Sequence, residues 1–84
     1  MKPIRLSGHA LRYLDRRGFS VEEVEEAIRT AQWRPAELGR LECHKDYAFG
    51  QVWNGVVYST KRVRPIFVEE PNEVVVVTVY TYYF

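Results

Sequence analysis

The stretch that decides the fold is Val74-Val75-Val76-Val77-Thr78-Val79-Tyr80. An extended chain places successive side chains on opposite faces, so this run is apolar on both faces. A strand of that kind is covered on both sides or nearly so, and it would promote aggregation if exposed. We therefore expect this segment at the centre of a β-sheet, with the rest of the chain arranged around it.

Other strands are indicated upstream of that segment. Residues 41–49 mostly alternate between apolar and polar side chains, which is typical of a strand with one covered face. Asn54-Gly55 between two apolar runs is a strong hairpin signal, because both residues tolerate positive φ. Residues 63–68 form a further predicted strand, in which Pro65 indicates a sheet edge or a bulge.

The first third of the chain is helical by pattern. Ser7 is an N-cap residue, an apolar stripe follows at helical spacing, and Gly18 suits the left-handed end of a helix. These signals predict one helix over about residues 7–17. Ser20 with Glu23 forms a capping box that begins a second helix, which we expect to end near residue 30.

These elements predict an α+β fold with two N-terminal helices followed by a mostly antiparallel sheet of three to five strands. A chain of 84 residues has room for one hydrophobic core, so we expect a single domain over residues 1–84. The one cysteine excludes an internal disulfide framework. No apolar stretch approaches the roughly 20 residues that span a bilayer, and the start lacks a signal-peptide core, so we expect a cytoplasmic protein without membrane association.

Charge is nearly balanced overall but unevenly distributed. Lys and Arg number 12 against 11 Asp and Glu, a net charge of +1 that excludes binding to nucleic acid by bulk charge alone. The first 18 residues are nevertheless basic, and steps of about 100° place His9, Arg12, Tyr13 and Arg16 on one helix face. Imidazole can move a proton near neutral pH and guanidinium can hold a phosphate, so this face is a candidate phosphodiester site. The solvated face of an amphipathic helix would have the same pattern.

Two further groups of residues carry chemistry. Lys61, Arg62 and Arg64 form a second basic cluster, which could contact a nucleic-acid backbone or simply prevent pairing at a strand edge. Glu42-x-His44-x-Asp46 points three metal-ligand side chains the same way, but a solvent-facing strand explains the trio as well. We expect no metal and no cofactor, and we expect Cys43 to be a small core residue.

Several short motifs together resemble the domain of unknown function 4258 family, over most of the chain from about Leu6 to Tyr80. They are His9-Ala10, Arg17-Gly18-Phe19-Ser20, the acidic second helix and the closing Val76-Val77-Thr78-Val79-Tyr80. The resemblance implies kinship with the RelE/ParE toxin superfamily and its BrnT-like relatives. It places the family's histidine, arginine and late threonine on His9, Arg17 and Thr78. Tyr13 stands where family members usually have an arginine, with Arg12 adjacent to it.

Two functional hypotheses remain open from the sequence. In the first, the protein is a toxin-like, metal-independent ribonuclease or translation-linked toxin. His9 and Arg17 are then the catalytic residues, and the nucleic-acid-binding residues are Arg12, Arg16, Lys61, Arg62 and Arg64; the partners are RNA or the ribosome, and an antitoxin protein. In the second, the protein is a non-catalytic module that binds another protein or forms a homodimer, through the basic helix face or the aromatic C-terminal strand.

Overall fold

A computed structural model describes residues 2–84. The strands are β1 (Ile4–Leu6), β2 (Arg34–Pro35), β3 (Leu41–Glu42), β4 (Lys45–Trp53), β5 (Val56–Glu69) and β6 (Val74–Tyr83). The helices are α1 (Gly8–Arg12), α2 (Leu14–Arg17) and α3 (Val21–Thr30), and a single 3-10 turn covers Glu37–Gly39. The hairpin predicted at Asn54-Gly55 is confirmed, since both residues have positive φ and join β4 to β5.

The strands form one six-stranded mixed sheet in the order β1-β6-β5-β3-β2, and β4 pairs with β5 beside β3. β6 lies between β1 and β5, but β1 pairs with only three of its residues, so β5 and not β6 occupies the predicted place at the sheet centre. It is antiparallel to β5 and parallel to β1, whose residues Ile4–Leu6 align with Val74–Val76. Helix α3 packs on one face of β5, and α1 packs against β6.

The predicted arrangement of this α+β domain, with two N-terminal helices followed by three to five mostly antiparallel strands of RelE/ParE type, is wrong. The described chain begins with strand β1, contains three α-helices and has six strands, one of them paired in parallel. β1 was missed because three residues are too short to show a period. They form a strand through pairing with β6, about 70 residues later in the chain.

The helix predicted over residues 7–17 is divided in two at Tyr13, whose backbone lies outside the helical region at φ −96° and ψ 2°. The Tyr13 N–H bonds to the Ala10 carbonyl, three residues back, which tightens the turn and ends α1. Both end signals are confirmed: Ser7 accepts a hydrogen bond from the Ala10 N–H, and Gly18 ends α2 at φ 72°.

Pro65 lies in the central strand β5, so its predicted place at a sheet edge is wrong, and the nearest bulge is in the neighbouring strand β6. The register of β3 and β4 against β5 places Cys43 opposite Pro65. The Cys43 N–H donates to the Pro65 carbonyl at 3.4 Å. Proline has no N–H that could donate to Cys43 in turn, so the hydrogen-bond ladder along β5 is interrupted there. This interruption separates β3 from β4.

The core lies between α3 and the sheet. Val24, Ala27 and Ile28 of α3 are buried in one cluster with apolar residues of β5 and β6, including Val63 and Phe67. The predicted capping box is confirmed, with reciprocal bonds between Ser20 and Glu23 at the start of α3. Glu23, the acidic residue of this capping box, also forms an ion pair with a lysine of β5.

That lysine is Lys61, whose side chain is only 11% exposed. Its ammonium lies 2.8 Å from a Glu23 carboxylate oxygen and donates to the Gly18 carbonyl at 3.0 Å. A buried charge is tolerated only when it is paired and hydrogen-bonded, and both conditions are met here. The pair joins the turn between α2 and α3 to the central strand.

Replacing Glu23 by Ala removes the capping box and leaves the Lys61 ammonium buried without its carboxylate. We expect the free energy of unfolding to fall by about 2–4 kcal/mol, measured by urea denaturation. Glu22→Ala, at the exposed neighbouring position, is the control and should change stability by less than about 0.5 kcal/mol. Equal effects of the two substitutions would contradict the structural role of this ion pair.

Cys43 is confirmed as a core residue, and its thiol donates to the Ala27 carbonyl at 3.4 Å. Burial, with a smaller effect of Glu42, raises the pKa of this thiol from 9.0 to about 11. The unfolded chain therefore releases this proton at lower pH than the folded chain. We expect the free energy of unfolding to decline between about pH 9 and 11, and to decline less steeply in Cys43→Ala. A thiol reagent at neutral pH should react only on unfolding; rapid labelling of the folded protein would contradict this.

Candidate functional site

The helices α1 and α2 meet β6 at a depression of about 580 Å³, which we call the edge pocket. Its lining residues are Ser7, His9, Arg17, Arg40, Val77, Thr78 and Tyr80. They come from β1–α1, α2, the loop before β3, and β6. The histidine, arginine and threonine that the sequence singled out, His9, Arg17 and Thr78, thus line the same pocket.

A bulge in β6 lies at this pocket and contributes Val77 to its lining. Ile66 pairs with Thr78 and Phe67 with Val76, so Val77 is an extra residue in the β6 ladder. Ser7 is bonded to this irregularity: its hydroxyl donates to the Val77 carbonyl at 3.0 Å and its N–H to the Val76 carbonyl at 2.9 Å. The start of α1 is thereby fixed at the bulge, which places His9 two residues further at the pocket.

Arg17 joins α2 to the free edge of β6. Its Nη1 donates to the Thr78 hydroxyl at 3.2 Å and to the Val79 carbonyl at 2.8 Å. Its own backbone carbonyl accepts hydrogen bonds from the Thr81 and Tyr83 hydroxyls. Within residues 2–84 the Nε and Nη2 groups of Arg17 have no hydrogen-bond acceptor, so these donors are available to a ligand.

Aromatic rings fix the orientation of the two predicted catalytic side chains. The Arg17 guanidinium carbon lies 4.2 Å from the Tyr13 ring centroid and 5.2 Å from that of Tyr80. The His9 ring lies 4.9 Å from the Tyr13 ring, tilted by 52°. Tyr13, at the position where the resemblance leads one to expect an arginine, therefore supports both His9 and Arg17.

A second depression of about 550 Å³, the face groove, adjoins the edge pocket on the face of the sheet opposite α3. Its lining residues are Pro35, Ala36, Glu37, Leu38, Arg40, Glu42, Arg64, Ile66, Thr78 and Tyr80. Arg40, Thr78 and Tyr80 border both depressions. One wall of the groove is the segment that crosses from β2 to β3.

Six of the twelve cationic side chains form ion pairs with carboxylates, and they include the whole predicted basic cluster of β5. Lys61 pairs with Glu23, Arg62 with Asp46 and Arg64 with Glu42. The cations without a carboxylate partner in the described part of the chain are Arg12, Arg16, Arg17, Arg34, Arg40 and Lys45. Uncompensated positive charge is therefore concentrated on α1–α2 and at Arg40, around the edge pocket.

The structure separates the predicted nucleic-acid-binding residues accordingly. Arg12 and Arg16 are exposed on the helices that carry His9 and Arg17, and the Arg16 guanidinium lies 5.9 Å from the Tyr13 ring. Lys61 is buried on the face of the sheet that α3 covers, where it pairs with Glu23. Arg62 lies beside the C-terminal Phe84 ring, and Arg64 lines the face groove.

The Glu42-His44-Asp46 trio does not form a ligand set. The two carboxylates pair with arginines of β5, and the His44 Nδ1 accepts a hydrogen bond from Arg34 at 3.1 Å. No group of three metal-ligating side chains occurs within residues 2–84. Nor does any helix in this range have the length and apolarity required to cross a membrane.

Arg40 and Tyr80 line the site but were not identified as site residues from the sequence. Arg40 carries no motif, and it reaches the edge pocket only because the segment between β2 and β3 folds back across the sheet. Tyr80 enters the sequence-based predictions only as the last residue of the closing apolar run and family motif, with no role of its own. Its place in the hydrophobic run beside Thr78 was the available signal, because residues 78 and 80 of a strand share one face.

No curated protein and no solved structure matches this chain. Residues 6–81 match the family described as "Domain of unknown function (DUF4258)", which covers both depressions and nearly every element. The arginine, threonine and histidine of the edge pocket all lie within the matched range. The chain belongs to this family of domains of unknown function.

Proposed function

We propose that this protein binds single-stranded RNA at the edge pocket and cleaves it without a metal ion, as a toxin-like ribonuclease. The observation that carries the proposal is the convergence of an exposed histidine with two arginines free of carboxylates, His9 with Arg17 and Arg40, in one open pocket. Proton transfer and phosphate binding are the two functions that such cleavage requires.

In the proposed reaction, the unprotonated imidazole of His9 takes the proton of a ribose 2′-hydroxyl. The 2′ oxygen then bonds to the adjacent phosphorus, and the bond from phosphorus to the 5′ oxygen of the next nucleotide breaks. That leaving oxygen takes a proton from water, which has access because the pocket is open. The products are a 2′,3′-cyclic phosphate and a 5′-hydroxyl, and neither oxidant nor metal is consumed.

Arg17 holds the phosphate in this proposal. Its Nη1 is fixed by Thr78 and Val79, and its guanidinium plane is held near Tyr13 and Tyr80. The remaining donors can therefore bind phosphate oxygens without first losing much conformational freedom, and they stabilise the negative charge that develops there. Arg40 would contribute further donors from the opposite wall.

His9→Ala should lower RNA cleavage by the purified protein at least about 100-fold, because general base catalysis contributes that much or more. Induced expression of the unmodified protein should also stop growth of a bacterial host, whereas His9→Ala should not. Cleavage is measured on a labelled single-stranded RNA with a chelator present. The product ends report the mechanism, as a cyclic phosphate and a 5′-hydroxyl.

His44→Ala is the matched control, since His44 is the other histidine of the chain and lies outside the edge pocket. It should retain cleavage and growth arrest. Equal cleavage by the unmodified protein and by His9→Ala would contradict the proposed cleavage at the edge pocket, because that reaction requires the His9 imidazole. Absence of both cleavage and growth arrest, with folded protein, would contradict the proposed function.

A second candidate function, association with a further copy of the chain, is favoured by the tip of the β4–β5 hairpin. Val52, Val56 and Val57 are 62%, 50% and 69% exposed there, next to the turn. Burying such apolar area against a second copy would be favourable. An antitoxin partner is a further proposal, which rests on the resemblance to toxin families alone.

Sedimentation of the unmodified protein over a range of concentrations should then show a dimer, and Val57→Lys should shift it to monomer without loss of folding. Lys2→Ala, a substitution at an exposed ion pair away from the hairpin tip, should leave the dimer intact. A monomer at every concentration would contradict the homodimer and leave the ribonuclease proposal unaffected.

A further inference from the structure

We infer that the face groove is a base-recognition subsite that prefers guanine, next to the phosphate-binding edge pocket. This inference rests on the proposed function, because it assigns the nucleotide base whose phosphate occupies that pocket. It is carried by an aromatic platform, a free hydrogen-bond acceptor, a free guanidinium and a strained apolar residue, all in one groove.

Tyr80 connects the two depressions. It borders both of them, and 41% of it is exposed. The guanidinium carbon of Arg17 lies 5.2 Å from its ring centroid and that of Arg64 lies 5.6 Å from it. Single-stranded RNA is recognised largely by stacking of bases on such aromatic rings and guanidinium planes. A nucleotide whose phosphate is bound by Arg17 would therefore have its base within reach of Tyr80.

Leu38 lies on the opposite rim of the groove. It is 84% exposed, and its backbone has φ 60° and ψ 33°, in the left-handed region that a branched residue such as leucine rarely adopts. The segment around it is held by backbone bonds between Ala36 and Arg40 and between Arg40 and Glu37. Strain of this kind persists where the fold has a use for it. Here it displays an apolar side chain that can cover a base stacked on Tyr80.

The polar groups of the groove select among the bases. Glu42 receives both Arg64 donors on one oxygen, Oε2, so its Oε1 has no donor within residues 2–84. Guanine presents two adjacent donors, N1–H and N2–H, that a carboxylate can accept. Arg40, which has no carboxylate partner in that range, can donate to O6 and N7, the guanine acceptors that arginine binds most often. Adenine, cytosine and uracil present neither this pair of donors nor this pair of acceptors.

The test measures binding separately from cleavage, by titrating the labelled full chain with nucleotides and following its amide NMR signals. The probes are the monophosphates of guanosine, adenosine, cytidine and uridine, each as 3′ and 5′ isomers, and inorganic phosphate alone. We expect a guanosine monophosphate to bind at least about 10-fold more tightly than the other three nucleotides. Phosphate alone should shift the signals of His9 and Arg17, which line only the edge pocket, and not those of Leu38 and Glu42, which line only the face groove.

Glu42→Gln should reduce the guanine preference to about threefold or less without changing phosphate binding. Asp46→Asn is its matched control, because it breaks the equivalent ion pair between Asp46 of β4 and Arg62 of β5, outside the groove. This variant should retain the full preference for guanosine. Tyr80→Leu should weaken all four nucleotides together. These three variants separate recognition of the base edge from stacking and from general loss of folding.

The outcomes distinguish this inference from the proposed function. Nucleotides and phosphate binding at the edge pocket with no base preference, or a preference retained in Glu42→Gln, would overturn the guanine subsite and leave the proposed function standing. No binding of phosphate, of any nucleotide or of a single-stranded RNA would overturn both. Binding that favours guanosine and depends on Glu42 would establish the subsite even if the chain cleaves no RNA.

Discussion

The rest of the structure depends on the hydrogen bonds that join Arg17 and Gly18 to the last two strands, β5 and β6. The Arg17 side chain bonds to the edge of β6, its carbonyl accepts from Thr81 and Tyr83, and the next carbonyl accepts from Lys61. Gly18 must be glycine, since it has positive φ and a Cβ there would collide with the Tyr83 and Trp53 side chains. This one junction closes the helical layer over the sheet and fixes the guanidinium that forms the edge pocket.

The features that sequence predicted correctly are those whose cause is local. The caps of α1 and α3, the left-handed Gly18 and the Asn54-Gly55 turn each depend on residues within four positions of one another. The missed features depend on distant partners. β1 exists because β6 is beside it, and the gap between β3 and β4 exists because a proline lies opposite Cys43. Neither pairing is visible before the register of the sheet is known.

The site was likewise predictable only where its residues belong to a local sequence motif. His9 and Arg17 were selected by a motif, and the structure shows why two residues eight positions apart reach one pocket. The chain turns at Tyr13, the start of α1 is bonded to the bulge in β6, and the Arg17 side chain of α2 bonds to β6 just beyond that bulge. Helical periodicity alone placed His9 with Arg16 rather than with Arg17. Arg40 and the face groove depend on a loop folded over the sheet, for which no local pattern exists. The pairing of Arg62 with Asp46 and of Arg64 with Glu42 is likewise a consequence of the register of β3 and β4 against β5. Lys61 instead pairs with a carboxylate of helix α3.

The distribution of charge determines how RNA recognition could work in so small a domain. With a net charge of +1, this protein has little long-range attraction for a polyanion, and half of its cations are neutralised by ion pairs. Phosphate contacts alone would give weak, salt-sensitive binding without sequence preference. In the proposed ribonuclease, the free donors around one phosphate position bind a single nucleotide and do not hold a long strand. Selectivity must then come from short-range contacts with the base, and the groove beside Tyr80 is where the described fold offers them.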